Sequence, residues 1–304
     1  MVDLSVDLGK GLLLKNPILA ASGTFGYGDE IADLVEIEQF GGIVTKSLSW
    51  QPRVGNPPPR IVETSAGMIN SIGLANIGLD TFLKEKAPFL SRLKCKVIVN
   101  IAASTKSEFI QVIRVLDREK WIAGYEINVS CPNVEEGGIA FGTNPKVLYR
   151  LSAELRQKTD RFLIIKLTPN VTDIASLAVA VQQSGADAIS MINTLYGAAI
   201  DINTFRPKIS TVIGGLSGPA IKPVALALLI KARKAVDIPI IGIGGISCGA
   251  DVIEFMLAGA SAIQLGSVNF FNPLAMHEIL DFLQQYLAKQ QMTSIRDIIS
   301  KAQL

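Results

Sequence analysis

Eight short apolar runs, each ending in a polar or glycine-rich tip, recur along this chain with amphipathic segments between them. They are PILAAS (17–22), GIVTKS (42–47), VIVNIA (97–102), YEINVS (125–130), FLIIKLT (162–168), AISMINT (188–194), IPIIGIGG (238–245) and AIQLGS (262–267). Runs that are continuously apolar, rather than alternating, belong to strands buried on both faces, as parallel strands covered by helices are. Eight such runs, rather than five or six, predict a closed α/β barrel of the (β/α)8 TIM type and not an open sheet. The 304 residues suit one barrel, and no low-complexity linker or shift of composition divides them, so 1–304 reads as a single domain.

The segments between the runs carry helix signals. IADLVEIEQF (31–40) and NPKVLYRLSAELRQKT (144–159) place apolar residues at helical spacing. In the second, Asn144 is the expected N-cap and Pro145 the first helical residue. DIASLAVAVQQSG (173–185) ends at Gly185, where a glycine closes a helix. LSVDLGKGLLL (4–14) predicts a hairpin across the barrel's bottom. Two connections are unusually long, 49–76 after the second strand and 131–143 after the fourth, and long loops in a compact barrel usually carry function.

A barrel of this kind works at the carboxyl ends of its strands. The tips there are Ser22, Lys46, Ser47, Asn100, Asn128, Lys166, Asn193, Thr194, Gly244, Gly245, Gly266 and Ser267. Any one of them could be a strand end satisfied by backbone, but solvation alone does not gather two lysines and three asparagines at one end. Lys46 and Lys166 each end a buried strand, where an ammonium needs an anion or a strong acceptor. The neighbouring tips hold no carboxylate, so the expected partner is an anionic ligand. Asparagine offers donor and acceptor together, which suits a heterocycle edge of alternating N–H and C=O groups.

Glycines in GIGGIS (242–247) and LGS (265–267) let backbone N–H groups approach a phosphate, and strands seven and eight are the usual place for one. GIGGIS departs from the dinucleotide pattern GxGxxG, so one phosphate is expected rather than two. GGLSGPAIKPVAL (214–226) offers a further glycine turn, opening a helix at Pro219.

The chain has one histidine and three cysteines, none in CxxC spacing. That argues against a disulfide framework, and against zinc or iron–sulfur held by this chain alone, and suits a reducing cytosol. The net charge of +2 is too small and too evenly spread for nucleic acid or an anionic membrane. The first residues lack a signal-peptide pattern, so a cytoplasmic protein is expected. With histidine out of reach, Cys131 in GYEINVSCPNV (124–134) becomes the candidate base, its alternative being a small core residue. Cys95, Cys248 and His277 read as structural, and Trp50 and Trp121 as packing residues. Two rivals stay open: a Schiff-base aldolase or lyase using Lys166, and a non-catalytic flavin- or phosphate-binding module.

The stretches ASGTFGYG (21–28), TKS (45–47), GNPPPR (55–60), MINSIGLAN (68–76), INVSCPNV (127–134), IKLTPN (165–170), INTLYGAAID (192–201), GGLSGPAIKP (214–223) and IPIIGIGGI (238–246) together make the chain resemble the dihydroorotate dehydrogenases, specifically the class 1B catalytic subunits. MINSIG stands where LNAIG is usual, and NIAAS where a glycine is commoner; neither change removes a polar ligand. The resemblance implies oxidation of dihydroorotate to orotate in pyrimidine (UMP) biosynthesis, with Cys131 taking the C5 proton. It assigns flavin mononucleotide (FMN) to Ser22, Lys46, Ser47, Asn100, Asn128, Lys166, Ile192, Gly218, Gly244, Gly245, Gly266 and Ser267. It assigns the pyrimidine to Lys46, Asn70, Ser71, Ile72, Gly73, Leu74, Asn128, Asn193 and Thr194. The loop bearing Cys131 would cover the ligand, hinged at Gly137 and Gly138. The resemblance further implies a homodimeric core and a partner subunit carrying FAD and a [2Fe-2S] cluster that hands electrons to NAD+, in a heterotetramer of two catalytic and two electron-transfer subunits. Class 1A enzymes, which use fumarate, also carry a cysteine and remain the nearest alternative. Without hydrophobic N-terminal helices, a membrane quinone is not the expected acceptor.

Overall fold

A computed structural model describes residues 2–130, 134–135 and 139–303. The eight apolar runs form eight strands: β1 (Ile18–Ala20), β2 (Gly42–Val44), β3 (Lys96–Ile101), β4 (Ile122–Asn128), β5 (Phe162–Lys166), β6 (Ala188–Met191), β7 (Ile240–Ile243) and β8 (Ala262–Leu265). Each pairs in parallel with its neighbours in chain order, and β8 pairs with β1, so the sheet closes on itself. Every residue of β5, β6, β7 and β8 is buried, as strands covered on both faces are. Each large aliphatic side chain so buried contributes about 1.5–3 kcal/mol, and the barrel core repeats that many times over.

Helices fill the returns, and their starts follow local chemistry. Helix α1 (Lys106–Leu116) is capped by Thr105, whose side chain accepts from Glu108 N. Helix α2 (Pro145–Arg156) is capped by Asn144, which accepts from Lys146 N at 3.0 Å and Val147 N at 3.2 Å. Helix α3 (Ile174–Gln183) is capped by Asp173, and Gly185 follows it with φ +81°. Each such cap is worth about 1 kcal/mol. Helices α4 (Lys222–Arg233), α5 (Gly249–Leu257) and α6 (Ala275–Lys289) complete the described ring. At the bottom, Val6–Asp7 pairs antiparallel with Leu13–Leu14, the expected hairpin.

Three expectations change. Residues 31–40 do not form an α-helix; the segment holds two separate 3-10 turns, Asp29–Ile31 and Ile37–Gln39. The Glu38 carboxylate accepts from Lys94 N at 2.9 Å and Cys95 N at 3.1 Å, tying the second turn to the approach to β3. That tertiary tie outweighs a helical pattern too short to hold by propensity alone. Helix α4 starts at Lys222, after a 3-10 turn at Pro219–Ile221, and not at Pro219.

The third change matters for function. The long connection 49–76 contains two strands, Ile61–Thr64 and Gly67–Asn70. They join Ile213–Ser217 and Leu195–Ala198 in a four-stranded antiparallel sheet beside the carboxyl rim. Of the other long connection, Val134–Glu135 pairs with Ile139–Ala140; Cys131, Gly137 and Gly138 lie outside the described residues.

Candidate active site

Parallel pairing puts the ends of all eight strands on one rim, so the polar tips meet there. β7 and β8 are adjacent, with Ile243 beside Gln264, which brings Gly244–Gly245 next to Gly266–Ser267. Gly244 has φ +125° and Gly245 φ +72°, conformations that suit glycine. A Cβ on Gly245 would stand 2.7 Å from Lys222 N and 2.8 Å from Gly218 O, so the 214–226 turn seats directly on this corner. Ile192 packs there too, 3.3 Å from where a Gly244 Cβ would be. Gly266 differs: a Cβ there would meet nothing within 4 Å. It faces open space beside Gly244 and Gly245, and backbone N–H groups left so accessible are what a phosphate binds.

That contrast makes a test. Gly266→Ala should leave the thermal midpoint near wild type, because no atom is displaced, while mononucleotide affinity falls by about tenfold or more through the occupied cradle, a loss of ~1.4 kcal/mol. Calorimetric or fluorescence titration of the variant with FMN reads it; unchanged affinity would remove Gly266 from the cradle.

Beside the cradle lies the polar bore of the barrel. The Asn100 backbone N–H donates to Thr45 Oγ1 at 3.2 Å, which holds the β3 tip against the Lys46–Ser47 tip. Lys46 is half-buried, its backbone N–H bonds Gly26 O at 2.8 Å, and among the described residues its ammonium has no carboxylate partner. That is the condition expected of a cation awaiting an anionic ligand.

Lys166 is not in that condition. Its ammonium lies 3.3 Å from Glu126 Oε1, and the glutamate is fully buried while the lysine is 6% exposed. The expectation that Lys166 would find its counter-charge only in a ligand is therefore corrected. The same carboxylate accepts from Asn100 Nδ2 at 2.7 Å and from Gln264 Nε2 at 2.6 Å. Sequence reading looked for carboxylates at the tips, and Glu126 sits one layer lower, two residues before Asn128. The signal was there: an acidic residue inside an apolar strand, on the same face as Asn128, must be paired.

Across the rim, Asn193 Nδ2 is 3.4 Å from Asn128 Oδ1, and Thr194 N donates to Asn193 Oδ1 at 2.8 Å. Asn70 Nδ2 donates to Gly215 O at 3.2 Å, and Gly215 lies against the Thr194 side chain. The four-stranded sheet thus carries the start of the 70–74 loop to Thr194. The loop itself is held from outside: Asn56 N donates to Ile72 O at 3.1 Å, Asn56 Nδ2 to Ser71 Oγ at 2.8 Å, and Thr211 Oγ1 to Ser71 Oγ at 2.6 Å. Gly73 and Leu74 both have positive φ, +70° and +56°. Asn170, which sequence reading passed over, donates to Thr194 O at 3.0 Å and accepts from Tyr196 N at 3.1 Å, bracing the same corner. Ser22 is half-buried on the turn after β1, next to the β8 tip through the bond from Ala21 N to Leu265 O.

Of the remaining cysteines, Cys95 is buried, and burial followed by the nearby Glu38 carboxylate pushes its thiol up to about 12, so it is inert near neutral pH. Cys248 is the exposed N-cap residue of α5. His277 lies on α6. Among the described residues no cluster of histidine, cysteine and carboxylate could hold a metal, and no helix is long and apolar enough to cross a membrane.

The family model described as dihydroorotate dehydrogenase matches residues 4–287. The dihydroorotate dehydrogenase B (NAD(+)) catalytic subunit of Geobacter metallireducens is 49% identical over 302 residues, covering 99% of each chain. That of Geotalea daltonii is 50% identical over 297 residues, covering 98% of this chain and 97% of the relative. The crystal structure of DHODH in complex with ferulenol from Eimeria tenella superposes with a TM-score of 0.81, covering 98% of this chain and 88% of that one. At 22% identity this last likeness speaks for the fold alone.

Proposed function

The chain belongs to the dihydroorotate dehydrogenase family, and we propose that it is the catalytic member of the B type, oxidising dihydroorotate to orotate in pyrimidine biosynthesis while a separate electron-transfer subunit passes the electrons to NAD+. The observation that carries this reading is the adjacency, on one rim, of a glycine cradle and a bore lined by lysine and amides. One ligand carrying a single phosphate and a flat polar heterocycle satisfies both at once, and an aldolase needs no such pairing. Lys166 as a Schiff-base nucleophile is disfavoured further by its engagement with the buried Glu126 carboxylate, 3.3 Å away.

The flavin is FMN in this reading. Gly244, Gly245, Gly266 and Ser267 hold its phosphate, with Gly218 and Ile192 packed behind them. Asn100, Lys166, Ser47 and Ser22 hold the ring system. The fit rests on the open face of Gly266 and on two buried acceptors, Asn100 Oδ1 and Gln264 Oε1, that have no partner among the described residues. When bound, FMN supplies the two-electron acceptor for the hydride that leaves C6 of the substrate.

The chain's own work is binding and proton transfer. Lys46 neutralises the substrate carboxylate, Asn128, Asn193 and Thr194 align the pyrimidine edge, and the loop Asn70–Leu74 closes its side. Cys131 removes the C5 proton from the face away from the flavin. The whole of 1–304 serves as one domain. FAD and the [2Fe-2S] cluster sit on the partner, in an assembly of two catalytic and two electron-transfer subunits built on a homodimer. Two separate exposed apolar groups support a chain with more than one contact surface: Ile202, Phe205 and Ile213 near the rim sheet, and Phe270, Phe271 and Leu274 after β8.

The direct test is optical. The purified chain should show flavin absorbance, and anaerobic dihydroorotate should bleach it within seconds. Absence of a flavin spectrum after FMN is supplied in excess would end the reading, and a flavin that dihydroorotate leaves oxidised would reduce the protein to a binder.

A further inference from the structure

β4 and β8 stand on opposite sides of the eight-strand barrel, four positions apart in either direction. The bond from Gln264 Nε2 to Glu126 Oε2, 2.6 Å, therefore spans the bore. On its own side Glu126 also takes the Asn100 amide from β3 at 2.7 Å and faces the Lys166 ammonium from β5 at 3.3 Å. Three side chains from three strands thus meet on the carboxylate of a fourth, and Glu126, Asn100 and Gln264 are fully buried. An ionised carboxylate only accepts. Both amides must present their NH2 groups to it, which leaves Asn100 Oδ1 and Gln264 Oε1 turned to other partners, and among the described residues neither has one. A buried hub of this kind is costly unless each member is satisfied.

We propose that Glu126 is a positioning residue that tunes the bound flavin. It holds Lys166 in place and partly cancels its charge, and it sets the two amides so that their carbonyl oxygens are free to accept N–H groups of the cofactor. The inference rests on the FMN reading above. Its consequence is a sign. A cation near the flavin favours the reduced, more negative form. Removing Glu126's charge unmasks Lys166, so the protein should hold reduced FMN more tightly relative to oxidised FMN. Removing Lys166's charge should do the reverse. Residues that served the fold alone would weaken both redox states together.

The experiment measures FMN dissociation constants in the oxidised and the dithionite-reduced state for wild type, Glu126→Gln, Lys166→Met and the double variant, on the full chain with FMN added in excess. The ratio Kd(oxidised)/Kd(reduced) is expected to rise about tenfold or more in Glu126→Gln and to fall in Lys166→Met, as a unit charge a few ångström away at an effective dielectric of ~20 implies. The double variant has the wild-type net charge and should return the ratio to within about threefold of wild type, RT ln 3 being well under one tenfold step. Should Glu126→Gln fail to fold, the double variant still decides, because exchanging both members of a buried ion pair is tolerated far better than exchanging one. A ratio unchanged in Glu126→Gln, or a double variant shifted as far as Lys166→Met alone, overturns the proposal. A wild-type chain that binds FMN in neither state would instead sink the flavin reading and is told apart by that control.

Discussion

Cys131→Ala should abolish flavin reduction by dihydroorotate while leaving flavin content and orotate binding near wild type. Removing a general base typically costs about 10²- to 10⁴-fold, and stopped-flow bleaching of the flavin reads the step directly. Serine should be nearly as poor, because a hydroxyl ionises far less readily than a thiol at neutral pH. The pH dependence has a definite sign. With a thiolate as the proposed base, the wild-type reductive rate rises with pH and levels off once the thiol, ordinarily near ~8.5, has titrated. Cys95 does not compete for this role, since its own ionisation is pushed up to about 12 by burial and the Glu38 carboxylate. A loss under about fivefold on replacing Cys131 would sink the assignment, being far below what base catalysis supplies.

The second large effect concerns the electron acceptor. The chain alone, loaded with flavin and given dihydroorotate, should reduce artificial dyes but not NAD+. Adding the electron-transfer subunit should switch NAD+ reduction from undetectable to sustained turnover. The physical ground is the absence of any second site: among the described residues no glycine loop has the dinucleotide pattern, and no cysteine cluster could hold iron and sulfur. In the B-type reading the electrons leaving the rim cross to another protein, and Phe270, Phe271 and Leu274, exposed just after the β8 tip, lie close in sequence to the cradle. Steady-state assays with dye, fumarate and NAD+, each with and without the partner, separate the routes. Rapid turnover with fumarate by the isolated chain would place it with the fumarate-using type, and NAD+ reduction without a partner would overturn the route.

How much of this was legible beforehand varies with the range of the forces involved. Asn144 before Pro145, Asp173 and Gly185 each act on backbone within a turn of themselves, and each stands where its residue type predicts. The strands of the barrel were legible because burial on both faces leaves few polar positions to confuse the pattern. Residues 31–40 misled because Glu38 bonds to the backbone of residues 94 and 95, a contact no local pattern records. The rim sheet was read as loop because Asn70 pairs with Gly215, a partner distant in the chain.

The sequence by itself determined the barrel, the rim and the residue types gathered there, since hydrophobic periodicity, helix caps and glycine turns are set by near neighbours. It also carried the likeness that points to Cys131. Only the tertiary structure decided which charges meet. Lys46 and Lys166 look alike as strand tips, yet closure of the barrel leaves the first without a carboxylate among the described residues and pairs the second with Glu126. Closure also brings Gln264 across the bore to the same carboxylate. A strand pattern says that a side chain points inward; which side chains it meets there follows from strand order and register, which pairing between distant segments establishes.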